Sequence, residues 1–235
     1  MCLCPNQGNS VIKQARRRKQ DFEYPADLVW AAACAAYRIN GGYFKQAEFT
    51  DQGQITRPAN RDLVRLYCMD TGLEFITDQD RDQGRKCRQD LVNAATMSAL
   101  KNQATEWTLL TAQMAALDVI TTDYQLSVIT AMPKSHSQTL ARENTNGRLA
   151  YCEAEPVGQI DERVEVVGEV VRSNYSNQYN THYVTVITDT NHQVFFAYRE
   201  RIESGANIRI CGRVKRHADR ATQLSRVKIL EQEAV

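Results

Sequence analysis

From residue 157 to the end of the chain, apolar residues recur at every second position, a period that suits β-strands and little else. The alternation is clearest over residues 208–230, IRICGRVKRHADRATQLSRVKIL. In the first half Ile208, Ile210, Gly212 and Val214 share one face, and Arg209, Cys211, Arg213 and Lys215 share the other. In the second half Leu224, Val227 and Ile229 are the apolar positions, with Arg226 and Lys228 between them and one slip of phase near Ser225. Two such runs joined by a basic, polar tip read as neighbouring strands, apolar on one face and cationic on the other.

Three more runs precede this pair. Residues 163–173 place Val164, Val166, Gly168 and Val170 on one face, and the glycine marks a bulge or a sharp bend. Residues 182–190 and 193–199 complete the set, separated by the turn residues Asp189, Thr190 and Asn191. In the third run Phe195 and Ala197 share one face and Phe196 and Tyr198 the other, so one pair points outward. Five strands in about 75 residues, the first long and glycine-bearing, resemble the OB-fold, a small Greek-key barrel that binds oligonucleotides. That family often carries a helix between its third and fourth strands; here the connection is so short that the helix is expected to shrink to a turn or vanish. The string GRVKRHADRATQLSRVKI also resembles a strand–loop–strand ending of uncharacterised tailed-phage proteins, through Gly212, Val214, Lys215, His217, Thr222, Gln223, Arg226, Val227 and Lys228. The resemblance implies work in DNA replication or recombination.

The first part of the chain has a helical period. Residues 1–24 read as a basic flexible tail, with Lys13, Arg16, Arg17, Arg18 and Lys19 in a stretch of low hydrophobicity. Residues 25–135 read as a helical domain. Its first helix runs from Pro25 to the stop signal Asn40-Gly41-Gly42, and the others cover 58–70, 77–103 and 105–121. Residues 41–57 read as a loop or short hairpin, and 73–78 as a strand remnant or a lead-in. The run DQDRDQG, residues 78–84, imitates the start of a calcium loop, but the turn glycine falls one place late and Gln89 stands where a bidentate glutamate is needed. A helix start, with Thr77 capping and Asp80 completing a capping box, accounts for it better. Residues 124–133 read as a short strand ending at Pro133, and 136–156 as the linker to the barrel domain, 157–235.

The expected fold is therefore α+β: a mostly helical N-terminal domain followed by a small five-stranded OB-like β-barrel. The formal charge of +1 gives no overall preference for a partner, so any electrostatic argument has to be local. Between residues 199 and 228 nine Lys or Arg stand against three acids, a net of +6. Single-strand binders join such a cationic surface to aromatic faces that stack on bases. The expectation is a single-stranded nucleic-acid-binding protein. Arg199, Arg209, Arg213, Lys215, Arg216, Arg220, Arg226 and Lys228 would meet phosphates, and Tyr183, Phe196 and Tyr198 would stack.

The alternative is a structural or adaptor protein whose barrel binds a protein partner. A protein contact through the helical domain and self-association are compatible with either. No phosphate loop, dinucleotide fingerprint, nucleophile elbow or metalloprotease helix occurs, so no catalytic residue is assigned. Seven scattered cysteines lack the paired spacing of a zinc site, so no metal and no cofactor is expected. They fit a reduced compartment better than a disulfide framework. With no apolar run of membrane length and a polar opening segment, the expected location is the cytoplasm, the host's if the protein is viral.

Overall fold

The computed structural model describes residues 22–233. The basic run at residues 13–19, with Cys2 and Cys4, lies outside them. The chain forms two compact units that divide after His136.

The first unit is built on α1 (Ala26–Ile39), preceded by the short strand β1 (Tyr24–Pro25). Its alanines make it thin: Ala32, Ala33, Ala35 and Ala36 are wholly buried, as are Val29 and Trp30. After a hairpin, β2 (Glu48–Phe49) and β3 (Ile55–Arg57), come α2 (Asn60–Tyr67) and a 3-10 turn, Asp70–Phe75. That turn corrects the expected strand or lead-in at 73–78.

The next helix, α3 (Asp78–Leu100), meets α1 at Gly84. A Cβ at Gly84 would lie 3.0 Å from the backbone of Trp30 and Ala31, so the two helices approach main chain to main chain there. Its start is the capping box read from the sequence: Asp80 N–H donates to Thr77 Oγ1, and Thr77 N–H donates to an Asp80 oxygen. Arg38, in the last turn of α1, donates to both Asp80 oxygens, from Nε at 3.0 Å and from Nη2 at 2.7 Å. Burial would push the Asp80 carboxyl up, but the hydrogen bonds from Arg38 and Thr77 outweigh it and hold the group below the usual carboxylate range.

α4 (Glu106–Ala116) ends earlier than the sequence suggests, because Val119–Ile120 forms β4 and pairs with β1. The larger correction follows it. Residues 123–150, expected as a strand and a linker, form one helix, α5 (Asp123–Ala150), with Pro133 inside it. A proline in a helix interior removes one hydrogen bond and costs about 3 kcal/mol. Here Leu126, Ile129, Met132, Pro133 and His136 are buried at helical spacing, and that burial favours the helix. From Ser137 on, the polar end of α5 belongs to the second unit, and within that unit Arg148 bridges both oxygens of Glu169, at 2.9 and 2.7 Å, and Arg172 donates to Asn146 Oδ1.

The second unit is the barrel: β5 (Arg163–Ser176), β6 (Thr181–Thr188), β7 (Gln193–Tyr198), β8 (Asn207–Ala218) and β9 (Ala221–Glu233). They close in the order β5-β6-β7-β9-β8, with β8 returning to β5. All pairs are antiparallel except β7 with β9, which share three parallel register pairs. This is an OB-like barrel, as the strand pattern predicts. Val166, Val170, Val184, Val186, Val194, Ile208, Ile210, Val214 and Leu224 fill it. No helix joins β7 to β8; Ile202, 1% exposed in the connecting loop, packs into the barrel core.

β5 serves two neighbours because it bends. It pairs with β8 through Arg163–Glu169 and with β6 from Gly168 onward, with a register shift between Val170 and Arg172. At the bend, a methyl group on Gly168 would sit 2.2 Å from the Ile187 carbonyl oxygen and 2.7 Å from Thr188 Cα.

Two outcomes test this packing. Asp80→Ala is expected to lower stability by about 1.5–3 kcal/mol in urea denaturation at pH 7. Since the folded-state pKa of Asp80 is depressed, that stabilisation is fully present above about pH 4 and lost as pH falls through the folded pKa. The difference between wild type and variant should therefore narrow in acid. Gly168→Ala should cost about 1–3 kcal/mol, because only backbone atoms are there to yield; a neutral result in thermal denaturation would show that β5 and β6 are further apart.

Candidate nucleic-acid interface

A closed barrel turns each strand's second face outward, and two groups of basic or aromatic residues gather there. The first is a belt across β5, β6, β7, β9 and β8. Cross-strand register places Arg172 beside Thr185, Thr185 beside Phe195, Phe195 beside Gln223, and Gln223 beside Arg216. Arg216 Nε donates to Gln223 Oε1 at 2.7 Å, which fixes that end of the belt. In the adjoining row Tyr183 stands between Asn174 and Ala197 and is 40% exposed. An aromatic pair, Tyr183 and Phe195, is thus flanked by arginines on both sides.

The second group surrounds a shallow depression of about 290 Å³ lined by Arg163, Gly212, Arg213, Arg226 and Lys228. Arg163 stands opposite Arg213 in the β5–β8 ladder, and Lys228 opposite Cys211 in the β8–β9 ladder. Arg163 Nε donates to Cys211 Sγ at 3.1 Å, and that hydrogen bond raises the guanidinium pKa above its ordinary value. The phase slip at Ser225 is a real irregularity in β9. Leu224 points into the barrel and Val227 packs against the core, so Ser225 and Arg226 both fall between inward positions, and Arg226 takes a left-handed φ of 50°. The extra residue is what turns Lys228 outward.

No family model matches this chain, and it matches no curated protein and no solved structure. What the barrel surface does must be read from its geometry.

The structure separates the residues expected to act together. Arg213, Arg226 and Lys228 lie at the depression, while Arg216 and Tyr183 belong to the belt; Lys215 and Arg199 are exposed. Arg209 is half-buried between Glu165 and Glu231. Glu165 first, then Glu231, holds its guanidinium pKa above the ordinary value, so its charge is already matched. Arg220, in the β8–β9 turn, donates to the Cys152 carbonyl oxygen at 3.1 Å and ties down the segment before the barrel.

Of the three residues expected to stack, one is fully buried and one is half-buried. Phe196 is 1% exposed and belongs to the barrel core, and Tyr198 follows it inward, packing edge-to-face against it at 6.4 Å. The outward aromatic of β7 is Phe195. Its phase was available in the sequence, because Val194, Phe196 and Tyr198 alternate together and the valine marks that face as the inner one. Arg163 and Arg172 join the cationic surface without a signal in the sequence, because they lie far from residues 199–228 along the chain and only barrel closure brings β5 alongside β8.

Among the described residues, no group of three or more His, Cys, Asp and Glu side chains is placed to hold a metal ion. Nor is any helix among them long and apolar enough to cross a membrane.

The strain at Arg226 has a measurable sign. Arg226→Gly relieves the left-handed conformation, worth about 1–3 kcal/mol, and gives back about 0.5–1 kcal/mol in chain entropy. Thermal stability is expected to stay level or rise; a clear loss would show that the arginine side chain, not the backbone, holds the bulge.

Proposed function

We propose that the barrel binds a single-stranded nucleic acid across its outward belt. The observation that carries the reading is the register-aligned row Arg172–Thr185–Phe195–Gln223–Arg216, with Tyr183 beside it. Bases stack on Phe195 and Tyr183, and Arg172, Arg199, Lys215 and Arg216 meet the phosphates on either side. Tyr175 and Tyr179, exposed in the β5–β6 hairpin, lengthen the stacking surface. A duplex hides its base faces, so stacking selects the single strand. The resemblance of residues 212–228 to tailed-phage proteins makes DNA the expected polymer and replication or recombination the expected setting.

A second reading has an observation of its own. From Ser173 to Thr188 the chain carries no Lys, Arg, Asp or Glu, and its tyrosines and amides are the residue types that protein-recognition loops use. On that reading the barrel is an adaptor for a protein partner.

Fluorescence anisotropy with a labelled single-stranded oligonucleotide separates the two. Phe195→Ala and Tyr183→Ala should each weaken binding by about 1–3 kcal/mol. Arg216→Gln should reduce the slope of log affinity against log salt by about 0.7. Absence of binding at low salt, or binding indifferent to both aromatic substitutions, sinks the single-strand reading. A complex formed through the uncharged hairpin would survive salt that strips a nucleic acid.

A further inference from the structure

We propose that the depression on β5, β8 and β9 is a separate binding site for a phosphate-class polyanion. It does not rest on the single-strand reading, because the belt and the depression share no residue. Its ligand chemistry is a group of linked phosphates, either in a nucleic-acid backbone or in a free polyphosphate.

Three features of one place support this. The first is uncompensated charge. Arg163, Arg213, Arg226 and Lys228 line the same depression and no acid lines it. The nearby carboxylates are engaged at its margins: Asp161, 79% exposed, stands 3.7 Å from Arg213, and Glu165 is taken by Arg209. The ion pairs found among the described residues include none at Arg163, Arg226 or Lys228. Like charges gathered on one surface repel, and a multivalent anion removes that repulsion.

The second is backbone strain at the same spot. Left-handed arginine is rare, and strained positions persist where the surrounding structure enforces them, often at ligand sites. Here the bulge that strains Arg226 also sets Arg226 and Lys228 on the outward side. Regular alternation from Leu224 would have turned both toward the core.

The third is shape and donor type. At about 290 Å³ the depression stands at the small end of ligand pockets, about 300 Å³. That is a size suited to a compact anion such as a di- or triphosphate. Gly212 lines it without a side chain, its missing Cβ direction being filled by Val227 and Leu224 inside the barrel. Guanidinium forks match phosphate oxygens two at a time, and three of the four cations are arginines.

The test is calorimetric titration of the full chain with inorganic tripolyphosphate at low ionic strength. Saturable binding is expected. The double variant Arg163→Gln/Lys228→Gln should lose about tenfold or more in affinity, as two charge-assisted contacts imply. Arg226→Gly should weaken binding while its melting temperature holds, which separates a lost contact from a lost fold. Arg201→Gln removes the same charge from outside the depression, where Arg201 pairs with Glu203, and should leave affinity unchanged.

Lack of saturable binding overturns the proposal, and so does an Arg201→Gln effect as large as that of Arg226→Gly. A single-stranded oligonucleotide that displaces the tripolyphosphate identifies backbone phosphates as the source. One that binds without displacing it identifies a free polyphosphate. If no oligonucleotide binds, the belt reading fails while this site stands.

Discussion

A barrel of five strands has an interior only wide enough for apolar side chains, so every charged residue on its strands has to leave through the outer wall. That exclusion governs the second unit of this protein. It fixes where β8 keeps its arginines, and in the uncharged β7 the polar Gln193 takes the outer face, which sends Val194 and Phe196 in and Phe195 out. In β9 it could not be met by alternation alone, because Leu224 and Val227 are both apolar and three apart. The chain answers with one inserted residue and a left-handed arginine. The two outward surfaces, one aromatic and one purely cationic, are consequences of the same rule acting on different strands.

Much of the barrel was legible because period-two patterning is a direct record of that exclusion. The five strands, the special role of Gly168 and the irregularity near Ser225 can all be read from residue order. What the order does not carry is closure. Arg163 and Arg213 are fifty residues apart, and only the β5–β8 ladder makes them neighbours. Along the sequence the basic surface is therefore one cluster, whereas the barrel wall divides it in two. Tyr198 is ambiguous in the sequence for a simpler reason: a tyrosine's ring can be buried while its hydroxyl stays wet, so residue type alone does not settle which way it faces.

The helical unit shows the opposite balance. Local signals in it are strong, and the Thr77–Asp80 capping box formed as its spacing suggests. The failure was at α5, where Pro133 and the Asn144–Gly147 stretch are weak helix formers. Propensity is a matter of fractions of a kcal/mol for most residues, and a buried stripe of Leu126, Ile129 and Met132 exceeds it. The polar remainder of α5 is held by Arg148 and Asn146, whose partners are barrel residues, so nothing near it in sequence announces its conformation.

The inserted residue in β9 also governs how this chain can vary. With Ser225 and Arg226 both present, two residues separate the inward Leu224 from the inward Val227; removing either one would leave a regular alternation, with Val227 and Ile229 still facing the core and Lys228 still facing out. The same deletion at Lys228 has no bulge to absorb it, and Ile229 would then face water. A one-codon loss is thus tolerable at the bulge and damaging two residues beyond it.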